Sequence, residues 1–385
     1  MAVLYIPLGG GNAKVGGTNY QVGSGKTKVN NTNYDIVFDD DPFKSSPAIY
    51  STNSNLQLTP VYVNGKYYGN GISSDRYGYY YTSTSLNGSW TYRAAFSGTA
   101  ESTSMWSTAN NYIFGVCDID TSNNNYGADF VYANASAAPD TLSVNTKNIM
   151  NGRLLGSYPV DVLYNNSRYF FPVRVKTTAS SSSQLLRIVC TNLSANVVTN
   201  ATVDCVRATD VKFGNGKYVC VGQVDRSNYV AFTLSAGSEG STFTQTSIPT
   251  LSSSWSSVGL GHLAFLNGKF YCFHGLNRYA YSTDGVNWTT ATTSLDGSDD
   301  ASVLVQQCGD RVVYKFTKNI SDVNYWMIYT TKDFSTFEPG AKYEVGTYSG
   351  NGDFLFQEDN VSWYILEKVP GAKTTAHRIV RFMKP

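Results

Sequence analysis

Charge is scarce in this chain. Only 15% of its 385 residues are Asp, Glu, Lys or Arg, and they balance to a formal net charge of +1. Nucleic acid or an anionic membrane surface demands a concentrated basic field, so neither is an expected partner. No stretch approaches the roughly eighteen apolar residues of a spanning helix. Met1 to Pro7 lacks a basic segment followed by a long apolar one. The chain therefore reads as soluble, with no membrane insertion and no secretory signal. The six cysteines form no CxxC pair and the three histidines (His262, His274, His377) are not spaced as ligands, so no metal and no other cofactor is expected. Buried free thiols suit these cysteines better than disulfides, as in a reducing cytoplasm. Glutamate occurs only at Glu101, Glu239, Glu338, Glu344, Glu358 and Glu367, which leaves little for helix propensity or for acid–base chemistry.

What is abundant is Tyr, Thr, Ser, Asn, Gly and Val, the composition of pleated strands and tight turns. The segments Val63-Asn64-Gly65-Lys66-Tyr67, Gly214-Asn215-Gly216-Lys217-Tyr218 and Leu266-Asn267-Gly268-Lys269-Phe270 share one core. Asn-Gly between alternating apolar runs marks a two-residue type I′ hairpin, because both central residues need positive φ. Weaker copies stand at Asn110-Asn111, Asn166-Ser167, Gly309-Asp310 and Asn360-Val361, giving turn spacings of about 42 to 57 residues. That is the period of propeller blades. The expected fold is all-β: a β-propeller of about seven four-stranded antiparallel blades over residues 43–385, with six and eight also open. The last unit lacks a clear fourth strand, and Asn55-Leu56-Gln57-Leu58-Thr59 is available to supply it and close the ring.

Residues 1–42 are a different object. Lys14-Val15-Gly16-Gly17-Thr18-Asn19-Tyr20 returns as Lys28-Val29-Asn30-Asn31-Thr32-Asn33-Tyr34, a tandem pair of miniature hairpins too short to be stable alone. They are expected to dock on copies of themselves, giving a homo-oligomer, or on a host structure. Asp39-Asp40-Asp41-Pro42 reads as the linker.

Ser282-Thr283-Asp284-Gly285-Val286-Asn287-Trp288 resembles the Asp-box of sialidase-like propellers, with a degenerate copy at Thr331 to Phe337 around Asp333 and a looser one at Thr84 to Trp90. Hydroxyl and carboxylate accept backbone N–H bonds across the turn while Trp288 packs beneath it. The resemblance implies a turn between third and fourth strands, so Ser282, Asp284, Gly285, Trp288 and Asp333 are read as structural.

The connections after the second strand open on the opposite face. Three carry a similar triplet: Asp75-Arg76-Tyr77, Asp225-Arg226 with Tyr229, and Asn277-Arg278-Tyr279. Converging guanidinium groups suit an anionic sugar, so Arg76, Arg226, Arg278, Tyr77, Tyr229 and Tyr279 are candidate ligand contacts. The alternative is that each Arg pairs with its own Asp or stacks on its Tyr. Trp255, in the Ser-rich stretch Leu251 to Ser257, joins them as a ring with little nearby to bury it. Trp106, Trp288 and Trp363 occupy strand or turn positions and are read as core. No catalytic residue is assigned: no Arg-Ile-Pro motif of the sialidase kind occurs, and Asp296, Asp299 and Asp300 fit a solvated turn.

The Lys-Val-x-x-Thr-Asn-Tyr repeat is similar to leader segments of bacteriophage and prophage tail-associated proteins. That resemblance implies a virion component assembled in the host cytoplasm. Residues 1–42 would bind other virion proteins and the propeller would bind host-surface carbohydrate, as a tail fibre does. A sialidase-like glycoside hydrolase and a structural decoration of capsid or baseplate are the alternatives.

Overall fold

The structure is a computed structural model. It describes the chain apart from residues 1–2, 6–11, 16–17, 22–24, 30–31, 38–40, 45–46, 53–59, 73–77, 94–99, 122–124, 136–143, 152, 155–160, 177–183, 195, 205–206, 225–227, 250–262, 296–302, 346–356, 369–376 and 385. Seven antiparallel sheets follow one another along the chain as the blades of a propeller. Their innermost strands are Val61–Val63, Ala100–Ala109, Leu163–Asn165, Arg207–Gly214, Leu263–Leu266, Leu304–Cys308 and Gln357–Glu358. In blade 3 that edge is split, since Arg153–Leu154 pairs with the far end of the same neighbour, Arg168–Lys176.

The hairpin residues behave as their chemistry requires. Asn64-Gly65, Asn215-Gly216 and Asn267-Gly268 all have positive φ, from 48° to 80°, and Asn110-Asn111 and Asn166-Ser167 do the same. These turns share one face. The Asn215 side chain donates to the Gly268 carbonyl and to the Thr283 carbonyl, both at 2.8 Å, tying the hairpin of blade 4 to the hairpin and the Asp-box of blade 5. Asn267 reaches the Lys332 carbonyl of blade 6 in the same way.

The core is not one mass. Each main hydrophobic cluster lies between two neighbouring blades: Phe114, Phe130 and Phe171 between blades 2 and 3, Val219, Phe270 and Trp288 between 4 and 5, Phe273, Tyr314 and Phe334 between 5 and 6. Cys220 and Cys272 hold one strand position in successive blades, and both are fully buried.

Ring closure is of the expected kind but uses another segment. The fourth strand of blade 7 is Ala48–Thr52, antiparallel to His377–Met383; Asn55 to Thr59 lie outside the described residues. Just before it, Asp41 and Pro42 are buried, where a linker was expected. Asp41 meets Arg311 at 2.9 Å with both side chains under 10% exposed, and accepts from the Thr330 hydroxyl. Phe43 is fully buried against Phe382, and its carbonyl accepts from the Ala341 amide. A Cβ at Gly340 would lie 2.6 Å from that carbonyl, so a glycine is required there. The segment Asp41 to Lys44 is thus an entry strap.

In the leader, Asn12–Val15 pairs with Thr18–Gln21 and Gly25–Val29 with Thr32–Val37, the two hairpins expected from the repeat. Val3–Tyr5 adds to the second in parallel.

Candidate functional site

An innermost strand has no strand on its channel side, so side chains of the preceding or following blade satisfy its backbone. The Ser107 hydroxyl accepts from Val162 N–H, and the Asp210 carboxylate from Leu263 N–H. Gln307 both accepts from Phe265 N–H and donates to Phe265 C=O, at 2.9 and 3.0 Å. These bonds hold the inner strands in a fixed ring around a cavity of about 790 Å³ lined by residues from all seven blades.

Position in the blade repeat decides what faces that cavity. The residue two before each hairpin turn is Tyr62, Thr108, Tyr164, Phe213, Phe265, Gln307 and Glu358 in blades 1 to 7. Four of these are aromatic, and each meets an aromatic partner across its hairpin: Tyr62–Tyr67, Tyr164–Tyr169, Phe213–Tyr218 and Phe265–Phe270, with ring centroids 4.7 to 4.9 Å apart. Tyr62, Phe213 and Phe265 are part-exposed and line the cavity, Tyr164 is exposed and is not part of that lining, and the outer partner of each pair is buried. Gly214 makes room for the Phe265 ring, since a Cβ there would fall inside it. Trp363 adds a further part-buried ring on blade 7, with Lys384 Nζ 4.9 Å above it. Expected as core, Trp363 packs against the cluster around Phe43 and Phe382 and also reaches the cavity.

Inside this rim the lining is polar and charged. Lys212 Nζ sits 2.9 Å from Asp161 Oδ2, and Lys384 Nζ 2.6 Å from Glu358 Oε2. Burial alone would lower the affinity of the Lys212 amine for its proton, but Asp161 and Asp210 outweigh it and hold the ammonium well above its ordinary range. Asp359 is buried and accepts from the Tyr67 hydroxyl, from Ser362 and from Arg381, so it is a structural carboxylate joining blades 7 and 1. Burial pushes its pKa up, but the hydrogen bonds beginning with Tyr67 push it lower still. No group of three or more potential metal ligands occurs among the described residues.

The residues singled out from the sequence lie elsewhere. Segments 73–77, 224–228 and 275–277 each join the second and third strands of a blade. Arg76, Tyr77, Arg226 and Trp255 lie outside the described residues. Arg278 opens its strand and is exposed. Tyr229 and Tyr279 are corrected from ligand contacts to core: they are 2% and 7% exposed, and both pack in interblade clusters. The same strand alternation that exposes Arg278 turns the next ring inward.

The Asp-box is wired as its residues dictate. Ser282 Oγ accepts from the Gly285 amide, Asp284 accepts from the Val286 and Asn287 amides at 2.8 Å each, and Trp288 Nε1 donates to the Gly285 carbonyl. All of this is scaffolding, on the face bearing the hairpin turns.

What sequence reasoning missed is the cavity: Asp161, Asp210, Lys212, Glu358 and the rim aromatics. The available signal was the recurrence of an aromatic two residues before a turn in four units. No protein-family model and no curated protein matches this chain. Among solved structures, it is similar to Trypanosoma rangeli sialidase in complex with the inhibitor DANA at 13% identity and a TM-score of 0.45, covering 94% of this chain and 60% of that one. It is also similar to the polysaccharide lyase Uly1 at 9% identity and a TM-score of 0.50, covering 86% and 90%. The chain spans about 60% of the sialidase's length. At such identities the likeness is one of fold alone, and the fold of this chain is a seven-bladed β-propeller.

Proposed function

We propose that the propeller binds carbohydrate without cleaving it, at the channel mouth rimmed by Tyr62, Phe213 and Phe265. The observation that carries this reading is the aromatic rim around a polar cavity. Sugar rings offer C–H faces that stack on aromatic rings and hydroxyl edges that need fixed donors and acceptors, and a site of this composition supplies both. The blades hold the rim rigid, which limits the entropy lost on binding.

In the same reading the protein is a virion component of phage type. Its hairpin leader attaches to other virion proteins and its propeller meets host-surface glycan, in a particle assembled in the bacterial cytoplasm. The tandem leader repeat supports the attachment role, since hairpins of this size need a partner surface for stability. The test is a glycan array probed with the full chain beside Tyr62→Ala and Phe213→Ala. Binding to a defined set of glycans, weakened roughly tenfold or more by either variant, supports the reading. Binding unchanged by both would remove the rim from it.

A hydrolase reading draws on Asp161 and Glu358 sharing one cavity. Each has one carboxylate oxygen engaged by a lysine ammonium, which sets both groups in ion pairs rather than in an acid and nucleophile pair facing one glycosidic bond. Release of soluble sugar from a bound glycan, lost in Asp161→Asn, would establish it.

A further inference from the structure

The charges at this mouth are arranged asymmetrically, and that selects among sugars. Resting on the glycan-binding reading above, we infer that the mouth takes neutral or amino sugars and rejects carboxylated or sulfated ones. This is the opposite of the anionic ligand expected from the arginine triplets on the other face.

Among the described lining residues every ammonium is already held. Lys212 is bonded to Asp161, and Lys384 is bonded to Glu358 and to the Asp359 carbonyl at 2.7 Å. In both pairs the cation is recessed and the carboxylate projects. The Lys212 side chain is 18% exposed against 51% for Asp161, and Lys384 is 25% exposed against 54% for Glu358. A ligand entering the mouth therefore meets carboxylate oxygens first. Asp210, 7% exposed behind Lys212, adds a further negative charge to the same wall. A sugar carboxylate or sulfate would have to approach these oxygens and displace one of them from its lysine, leaving a like charge beside it. A hydroxyl or a protonated amine can instead donate to the free lone pairs of Asp161 and Glu358 while the ion pairs stay closed.

The test uses the full chain and three soluble probes at pH 6 and low salt: an N-acetylglucosamine oligomer, the corresponding glucosamine oligomer, and a sialylated oligosaccharide. Calorimetry is expected to give the glucosamine oligomer about tenfold tighter than the neutral one, with the sialylated probe weakest. Asp161→Asn should erase the advantage of the amine over the neutral oligomer and strengthen the sialylated probe by releasing Lys212. Glu358→Gln repeats the test from the other pair, and a melting curve on each variant shows that it is folded. Phe213→Ala should weaken the amine and neutral probes together. Tighter binding of the sialylated probe by the parent protein, lost in Phe213→Ala, overturns the inference while leaving glycan binding intact. Amine and neutral binding untouched by Phe213→Ala and Asp161→Asn overturns it by placing the ligand away from this mouth. No binding of any probe removes the inference together with the glycan reading on which it rests.

Discussion

At the turn between third and fourth strands, single residues trade backbone strain against burial. Gly285 has φ +73°, and a Cβ there would lie 2.6 Å from Val219 and Thr233 of blade 4. The equivalent place in blade 6 is Phe334, at φ +61°, bonded through its amide to Thr331 Oγ1. Holding a non-glycine residue there costs about 1 to 2 kcal/mol. The ring repays it by stacking on Tyr271, centroids 4.0 Å apart, and on Phe273. Phe334→Ala should therefore destabilise by about 3 to 5 kcal/mol, and Phe334→Gly by less, because glycine also relieves the φ; paired urea melts measure both. Asp284 gives a second residue-scale expectation. Amide bonds from Asn287 and then Val286, working against burial, hold its carboxyl below the ordinary value of 3.8. A group depressed in the folded state stabilises above its unfolded pKa, and that stability disappears as pH falls through the folded value. Asp284→Asn should thus lower the melting temperature at pH 7 and lose less than the parent between about pH 5 and pH 2.

At the scale of elements, legibility in the sequence followed range. Hairpins at Asn-Gly and the Asp-box at Ser282 to Trp288 are local: the residues that specify φ and the residues that accept the N–H bonds lie within a few positions of one another. The blade count followed from their spacing, and the need for a borrowed closing strand followed from a missing one. The identity of that strand did not, because Ala48–Thr52 and Asn55 to Thr59 carry similar patterns and only pairing with His377–Met383 distinguishes them. Nor was the cavity legible, since Lys212 and Asp161 meet across 51 residues and Glu358 joins them from blade 7. Asp41 was read as linker for the same reason: nothing near it in the chain points to Arg311, 270 positions away, which the fold brings against it. Asp41→Ala removes a buried carboxylate from that guanidinium, beside which the more exposed Asp310 remains. It should cost up to about 3 kcal/mol, read as a fall in melting temperature.

For the whole molecule, stability resides in interfaces between blades, and a ring of such interfaces is only as strong as its closure. Blade 7 meets blade 1 through Tyr67 bonded to Asp359, Tyr364 bonded to the Pro60 carbonyl at 2.6 Å, and Asn360 bonded to Tyr62. The outer edge of blade 7 is held by Ala48–Thr52, and the strap at Asp41 to Lys44 pins that strand's approach to blade 6 through Arg311 and Glu338. Two truncations separate these contributions from the leader. Removing residues 1–38 deletes the leader alone and should leave the melting temperature within about 2 °C; under the proposed virion role it should also abolish incorporation into particles. Removing residues 1–52 also deletes the strap and the closing strand. It exposes the unpaired edge of His377–Met383 and should broaden calorimetric unfolding and promote association through that edge. If the shorter truncation alone collapsed the melt, the leader would be part of the propeller's core. If the longer one melted like the parent, the closure described here would contribute little, and the interface between blades 7 and 1 would be holding the ring by itself.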